Sequence, residues 1–292
     1  MSDSTKIVFE AIGTSWQIDF FEDITEPKLI ALKKKILAAA FKFDSVFSRF
    51  KPDSWVTQVY KNPGTFQLPP HAYQLLRLYR KLYDHTGGMF TPCIGQTLAD
   101  AGYDAEYSLI SKKLANPPKF SGVNFDNETL TTAEPVLLDF GAAGKGYLID
   151  ILTKLITKSG VVDFWVDGSG DIRNHSTKII RIGLENPINT KQVIGVAKLE
   201  KYQSLCASAG NRRGWNDFHH IINPQSLTSP KNILGTWVVA KTCSLADALA
   251  TAIFLVPPKK LLENFNFEYC LLTENFQLQN SANFPLEKFK FV

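Results

Sequence analysis

Two oxygen-bearing side chains stand four residues apart in an otherwise apolar stretch, TCSLADALATAIF at residues 242–254. If this stretch is an α-helix, that spacing places Asp247 and Thr251 on one face, about one turn apart. A carboxylate and a hydroxyl in this arrangement suit a hard cation such as Mg²⁺, which prefers oxygen ligands. A structural role is the alternative, because Asp247 could balance the helix dipole and Thr251 could bond to the carbonyl of residue 247.

A glycine-rich turn with a lysine is the second candidate, LLDFGAAGKGYLID at residues 137–150. A strand runs into this turn and the turn opens a helix, whose first N–H groups and dipole favour an anion. Lys145 would add a positive charge for a phosphate. The stretch is not a Walker A loop, because Gly146 stands where Ser or Thr would hold magnesium. A purely structural turn explains the pattern equally well.

Two further stretches carry polar residues beside turn signals. WVDGSGDIRNHS, residues 165–176, places Asp171 after two glycines, where it could bind a ligand hydroxyl; a β-bulge or a plain turn is the alternative. HHIINPQSLTSP, residues 219–230, places His220 before an apolar pair and a rigid Asn-Pro turn. A single histidine near a turn is more often structural, so His220 alone does not establish a catalytic site.

The composition is that of a globular protein. The 292 residues are 45% hydrophobic and 12% aromatic, which is enough for a large core in one domain or two lobes. The net charge of +4 and the run at residues 33–35 indicate a solvated basic helix face rather than a nucleic-acid site. Four cysteines without CxxC or zinc spacing predict free, buried thiols in a reducing compartment. With no signal-peptide pattern and no apolar run of membrane-span length, we expect a soluble, cytoplasmic protein.

Hydrophobic periodicity predicts more strands than helices. Strands are expected at 7–21 (a strand or hairpin), 135–140, 163–167, 178–187, 193–200, 202–208, 235–241 and 267–274, and helices at 26–50, 70–88, 146–160 and 244–256, with a loop and short hairpin at 111–134. Because the strands do not alternate regularly with helices, the pattern favours an α+β fold over a doubly wound one.

Taken in order, the polar stretches resemble the ApbE-type flavin transferases (FAD:protein FMN transferases). The resemblance covers roughly residues 8–256. SLADALATAIF matches the family's ADALATAL helix almost letter for letter, and LLDFGAAGKGYLID is similar to LDLGGIAKGYAVD. Weaker similarities are IGTSW to a Met-Gly-Thr strand, FSRFKPDSWVTQVYKNPG to S-x-[YF]-x-x-x-S-x-[LV]…N, TGGMFTP to GGAFDP, DGSGDI to GGD[IL], and HHIINPQSLTSP to HIIDPxTGxP.

This resemblance implies an α+β, two-lobed ApbE-like (T-fold-type) architecture with mixed or antiparallel sheets and flanking helices. Residues 1–292 would form a single flavin transferase domain with the site between its lobes. The implied reaction is Mg²⁺-dependent transfer of FMN from FAD to a Thr or Ser hydroxyl of a target protein, with a phosphoester bond formed and AMP released. The implied partners are FAD, as substrate, and an acceptor flavoprotein, expected to be a reductase that carries a Thr or Ser flavinylation motif.

The resemblance also implies roles for individual residues. Magnesium would be held by Asp247, Thr251 and the carbonyl of Ala142, and Asp247 would thereby be catalytic. His220 would be the general base for the attacking hydroxyl, with a pKa near the working pH. Asp139 would bind the adenosine or orient Lys145. The residues expected to contact the cofactor are Ile12, Phe50, Met89, Phe90, Thr91, Asp139, Lys145 and His220.

Four positions depart from the family's pattern. Thr91 replaces an aspartate, which would weaken one polar contact near the flavin. Asn223 replaces another, so His220 would lose a carboxylate that could orient it. Leu227 stands where the family has glycine. The segment ASAGNRRGW at 207–215 replaces TSGxY, and its two arginines could contact phosphate or form a solvated loop.

Three functions are compatible with the sequence, besides an α+β domain unrelated to flavin. The first is a cytoplasmic flavin transferase that modifies a partner protein. The second is a Mg²⁺-dependent FAD pyrophosphatase, which would use the same site with water as acceptor. The third is a non-catalytic FAD-binding module, which would have no need of the Asp247 and Thr251 pair.

Overall fold

The computed structural model describes residues 5–287, which fold as helices and antiparallel sheets. The helices are α1 (Glu26–Phe47), α2 (Trp55–Lys61), α3 (Ala72–Thr86), α4 (Gly95–Asp100), α5 (Gly141–Lys158), α6 (Cys243–Ala252) and α7 (Pro258–Leu262). The strands are β1 (Thr5–Ala11), β2 (Thr14–Phe20), β3 (Thr65–Gln67), β4 (Asn124–Phe125), β5 (Thr129–Thr131), β6 (Phe164–Gly168), β7 (Asp171–Asn174), β8 (Ile180–Glu185), β9 (Val193–Leu199), β10 (Ser204–Ala209), β11 (Gly214–Trp215), β12 (Phe218–His219), β13 (Ile233–Ala240), β14 (Glu268–Thr273), β15 (Leu278–Asn280) and β16 (Leu286–Glu287).

An eight-stranded sheet organises the molecule. Its order is β1-β2-β6-β7-β10-β13-β14-β15, so neighbouring strands follow one another in chain order. Every neighbouring pair is antiparallel. Apart from β16, the remaining elements lie in connections between neighbouring strands of this sheet. The connection from β7 to β10 contains β8 and β9, which form the three-stranded sheet β16-β9-β8 together with the later strand β16.

Both faces of the large sheet are covered, which gives three layers. Along β13, Val238 belongs to the core shared with the helices, while Trp237 and Val239 belong to the core shared with the small sheet. Successive side chains on a strand point to opposite faces, so this alternation places one core on each side. A strand buried on both faces reads as a nearly continuous apolar run, as the sequence of β13 does.

Helices α5 and α6 pack closely on the helical face of the large sheet. A Cβ on Gly146 would overlap the carbonyl of Cys243 and lie 2.8 Å from Cβ of Asp247, so only glycine fits there. The carboxylate of Asp150 on α5 accepts from the N–H groups of Cys243 and Ser244 at 3.0 Å each. These bonds satisfy N–H groups that the start of α6 leaves free, and they fix α6 against α5.

The structure confirms the α+β class and corrects several elements. The strand predicted at 135–140 is wrong: the segment belongs to no strand, although Val136, Leu138 and Phe140 are buried. Its bonds to residues 92–95 are two single ones, from Gly95 N to Leu137 O (3.2 Å) and from Asp139 N to Pro92 O (2.7 Å). The adjacent residues 92–94 form a 3₁₀ turn, which cannot form the regular hydrogen bonds of a β-sheet with this segment. The helix predicted at 146–160 begins earlier, at Gly141. The division into two lobes stays a prediction, and residues 1–4 and 288–292 of the predicted domain lie outside the described residues.

None of the helices within residues 5–287 combines the length and the apolar character that a membrane crossing requires.

Candidate active site

A cavity of about 390 Å³ opens at one end of the large sheet, a size typical of small-molecule sites. Turns and element ends form its wall: the β1–β2 turn at Gly13, the β6–β7 turn at Ser169 and Gly170, and the end of β10. The first turn of α5 and one face of α6 form its floor. Segments far apart in the chain therefore meet at one place.

Of the site residues that the family resemblance implies, all except one line this cavity. They are Phe50, Met89, Phe90, Thr91, Asp139, Ala142, Lys145, His220, Asp247 and Thr251. The exception is Ile12, which immediately precedes the lining residue Gly13 in the β1–β2 turn. Asp171, the candidate for a ligand hydroxyl, does not line the cavity: its buried carboxylate accepts from Ala207 N at 3.2 Å and pairs with Lys145.

Asp247 and Thr251 lie on the cavity side of α6, as their spacing predicted. Asp247 is only 4% exposed, and its Oδ2 accepts from Gly146 N at 2.8 Å. In a regular helix the N–H of Gly146 points at the carbonyl of Ala142, so the two predicted ligand oxygens lie close together. Thr251 Oγ1 lies 3.2 Å from Ser208 Oγ.

The charge balance around Asp247 suits a bound cation. Burial, and then the neighbouring carboxylate of Asp171, raise the pKa of Asp247 well above its usual range. Lys145 is the nearby cation, but it forms an ion pair with Asp171. Within residues 5–287 no group of three or more His, Cys, Asp or Glu side chains could hold a metal, so an ion here would depend on Asp247 together with hydroxyl and backbone oxygens. Such an all-oxygen set fits Mg²⁺.

Asp139 has structural partners on both carboxylate oxygens. Oδ1 accepts from Gly141 N at 2.7 Å at the start of α5, and Oδ2 pairs with Arg49 Nε at 2.6 Å. The Arg49 guanidinium lies over the ring of Phe50, 4.3 Å from its centroid. Asp139 therefore holds the first turn of α5 in place, whereas the partner of Lys145 is Asp171.

His220 is a half-buried, neutral imidazole at the cavity wall. Burial, and then the charges of Arg213 and His219, lower the pKa of His220 to about 3, and its Nδ1 has no hydrogen-bond partner within residues 5–287. The pKa of His220 therefore lies below the value near the working pH that was expected of a general base. An anionic substrate nearby would raise the pKa of His220.

His219, by contrast, has a structural role. Its Nε2 lies 2.9 Å from Pro230 O, and its Nδ1 accepts from Ile221 N at 3.2 Å. With both ring nitrogens engaged, His219 fixes the segment that carries His220.

The departures from the family's pattern mostly serve turns. Thr91 Oγ1 accepts from Cys93 N at 3.2 Å and caps a 3₁₀ turn. Asn223 Oδ1 accepts from Gln225 N at 2.9 Å, an Asx-turn contact rather than a contact with His220. Leu227, where the family has glycine, has a left-handed φ of 57°.

Several cavity residues were not predicted as a site. Arg213 donates to Tyr103 Oη at 2.8 Å, and its carbonyl accepts from His220 N at 3.1 Å. The double arginine was a visible signal, though a solvated loop explained it equally well. Trp237 and Ser208 also line the cavity. Trp237 gave no signal, because it reads as one more apolar residue of a buried strand.

Comparisons with known proteins identify relatives of this chain. The ApbE family model matches residues 12–270. An FAD:protein FMN transferase of Rhodobacter capsulatus is 26% identical over 205 residues, which are 65% of this chain and 39% of that protein. One of Haemophilus influenzae is 23% identical over 283 residues, 87% of this chain and 81% of that protein. This chain thus spans well under half of the first relative and most of the second.

Solved structures share the fold. The ApbE protein of Thermotoga maritima superposes with a TM-score of 0.85 at 21% identity, covering 98% of this chain and 100% of that one. The flavin transferase ApbE of Vibrio cholerae gives a TM-score of 0.77 at 15% identity, covering 95% and 97%. The expected ApbE-like fold is confirmed. Because the family model matches most of the sequence, the chain belongs to the ApbE family.

Proposed function

We propose that the chain is an FAD:protein FMN transferase, which moves FMN from FAD to a Thr or Ser hydroxyl of a target protein and releases AMP. The names of its relatives support flavin transfer in general. The observation that carries the proposal is the convergence of Asp247, Thr251, Ala142, Lys145 and His220 on one cavity. The set joins oxygen ligands, a fixed cation and a neutral imidazole.

Each residue has a role that its surroundings permit. Asp247, Thr251 and the carbonyl of Ala142 would hold Mg²⁺, which would neutralise charge on the pyrophosphate. Lys145, oriented by its ion pair with Asp171, would face the same phosphates. His220 would accept the proton of the acceptor hydroxyl, whose oxygen forms the new bond to the FMN phosphorus while the bond to the AMP oxygen breaks.

We also propose a cytoplasmic location for the enzyme. All four cysteines are free and buried, and the thiol of Cys206 lies 3.5 Å from the carbonyl of Cys243 without any disulfide between the two residues. Unlinked neighbouring thiols are typical of a reducing compartment.

The direct test is to incubate the protein with FAD, Mg²⁺ and a threonine peptide from a flavinylated reductase, and to separate the products for mass spectrometry. We expect the mass of FMN on the peptide and an equal amount of AMP. The Asp247→Asn variant, which keeps the size of the side chain but loses its charge, should lose the transfer. The exposed Asp53→Asn substitution is the matched control and should leave it unchanged.

Other products of this reaction would contradict the transferase proposal and indicate a different function. Free FMN and AMP without a modified peptide would make the protein an FAD pyrophosphatase. Intact bound FAD in the presence of Mg²⁺ would make it a flavin-binding module.

A further inference from the structure

We propose that the acceptor protein docks by adding an extended segment, which carries the reactive hydroxyl, to the outer edge of β8. This inference rests on the proposed transferase function. It names a docking surface consisting of the outer edge of β8, residues 180–185, and Ile188 in the following hairpin.

The outer edge of β8 is open. Among the described strands, β8 pairs only with β9, in the small sheet β16-β9-β8. Among the backbone bonds of residues 5–287 outside regular pairing, none reaches residues 180–185. In an antiparallel edge strand, every second residue directs its N–H and C=O outward, and these groups are a template for another strand. An extended peptide satisfies them by strand addition.

The outer edge of β8 ends beside the cavity. β8 ends at Glu185, which lines the cavity, and Pro187 lines it as well. The side chain of Asn211 donates to the carbonyl of Pro187 and so ties this end of β8 to the segment that precedes His220. That segment also bonds His220 directly, through the carbonyl of Arg213 at 3.1 Å. A peptide strand that pairs with β8 would therefore have one end beside His220, the proposed proton acceptor.

The surroundings of the edge indicate which segment it accepts. Ile188 is 58% exposed beside the cavity and offers an apolar contact. Lys178 and Lys191 are exposed near the two ends of β8, and neither makes an ion pair within the described part of the chain. Lys178 Nζ also lies 4.5 Å from the centroid of the Phe21 ring. The edge thus suits an extended segment that is neutral or acidic and carries an apolar residue next to its Thr or Ser.

Backbone N-methylation of the acceptor peptide tests the mode of docking without any change to the enzyme. Strand addition predicts that methylation at every second residue raises the KM for peptide about tenfold, because each lost hydrogen bond to an edge carries roughly that much. Methylation at the intervening residues is the matched control and should have little effect. An effect without this alternation would overturn the proposal.

Hydrogen exchange tests the place. We expect a peptide with Thr replaced by Val, added with FAD, to slow exchange of the amides at 180–185. Protection of β1 or β15, the open edges of the large sheet, in place of β8 would overturn the proposal.

Two serine variants test the apolar contact. Ile188→Ser should raise the KM for peptide several-fold without changing FAD cleavage. Val162→Ser, at an equally exposed residue outside the docking surface, should change neither, and equal effects of both variants would count against the docking surface. A protein that never modifies the unmethylated peptide would fail the transferase proposal itself, and this inference with it.

Discussion

At the scale of the residue, Ile12 is strained beside the cavity. It has a φ of 45° and is followed by Gly13 at 72°, so both central residues of the β1–β2 hairpin are left-handed, as a type I′ turn requires. Such turns favour Asn-Gly, and a β-branched residue is unfavourable there. Ile12 is also the predicted flavin contact that does not line the cavity.

Replacing this residue separates stability from binding. Ile12→Asn should raise the free energy of unfolding by about 1 kcal/mol, because asparagine tolerates the left-handed conformation. It should weaken FAD binding if the isoleucine side chain covers the flavin. Urea denaturation and FAD titration measure the two effects. Ile12→Val keeps the branched side chain and should keep the wild-type stability; an Asn variant no more stable than wild type would refute the strain.

His220 should make stability depend on pH. Its pKa is about 3 in the folded protein, against 6.5 for an unperturbed histidine, so between these values only the unfolded chain binds the proton. The free energy of unfolding therefore rises with pH across this window and levels off above it. In His220→Gln the rise should be shallower, by up to about 1.4 kcal/mol per pH unit. Denaturation at several pH values checks this, and identical slopes would contradict it.

Residue types revealed much of the site, but not the way its charges pair. The Asp247 and Thr251 spacing and the Lys145 turn were visible because helical periodicity is local. That Lys145 pairs with Asp171, and that Asp139 pairs with Arg49, depends on contacts between distant segments. Spacing along the chain carries no information on such pairs.

At the scale of the element, the contact between α5 and α6 depends on one glycine. Gly146→Ala would force α6 away from α5, because the new Cβ overlaps the carbonyl of Cys243. We expect a loss of about 1–3 kcal/mol in stability from overpacking and a fall in FMN transfer as Asp247 moves.

A neighbouring glycine supplies the control. A Cβ on Gly144 would meet Phe140 and Phe43 at 3.8 Å, an ordinary contact. Gly144→Ala should therefore be neutral or gain up to about 1 kcal/mol from helix propensity. Chemical denaturation of both variants decides the matter, and equal effects would show that the close approach at Gly146 is unimportant.

Helices and strands were predicted correctly where the hydrophobic periodicity extended over many residues. The predictions failed where the structure depends on which strands pair. Helices α1 and α3 and most strands of the large sheet lie where the apolar pattern put them. Residues 135–140 have the composition of a buried strand, yet no partner strand lies beside them. The short strand β7 was missed because its four residues are mostly polar and read as a turn.

At the scale of the whole molecule, the cavity gathers segments from Gly13 to Leu255. A ligand that touches them all binds the folded state and not the unfolded chain. FAD at a hundredfold excess over its Kd should therefore stabilise the protein by about 2.7 kcal/mol. Thermal unfolding with and without FAD measures the shift in Tm.

The same measurement tests the magnesium proposal. If Mg²⁺ joins Asp247 to the pyrophosphate, EDTA should reduce the FAD-dependent shift, and Asp247→Asn should make the shift insensitive to EDTA. A shift that EDTA leaves unchanged in the wild-type protein would separate FAD binding from the metal.

The chain-order sheet has a consequence for how such proteins diversify. Each connection between two strands of the large sheet starts and ends on adjacent strands. Its length and sequence can therefore change while the pairing of the large sheet stays the same. The stretch from the end of β7 to the start of β10 contains the whole acceptor edge proposed above. On the docking mode proposed above, exchanging residues 175–203 between relatives would change the preferred acceptor, because Asp247, Thr251, Ala142, Lys145 and His220 all lie outside the exchanged stretch.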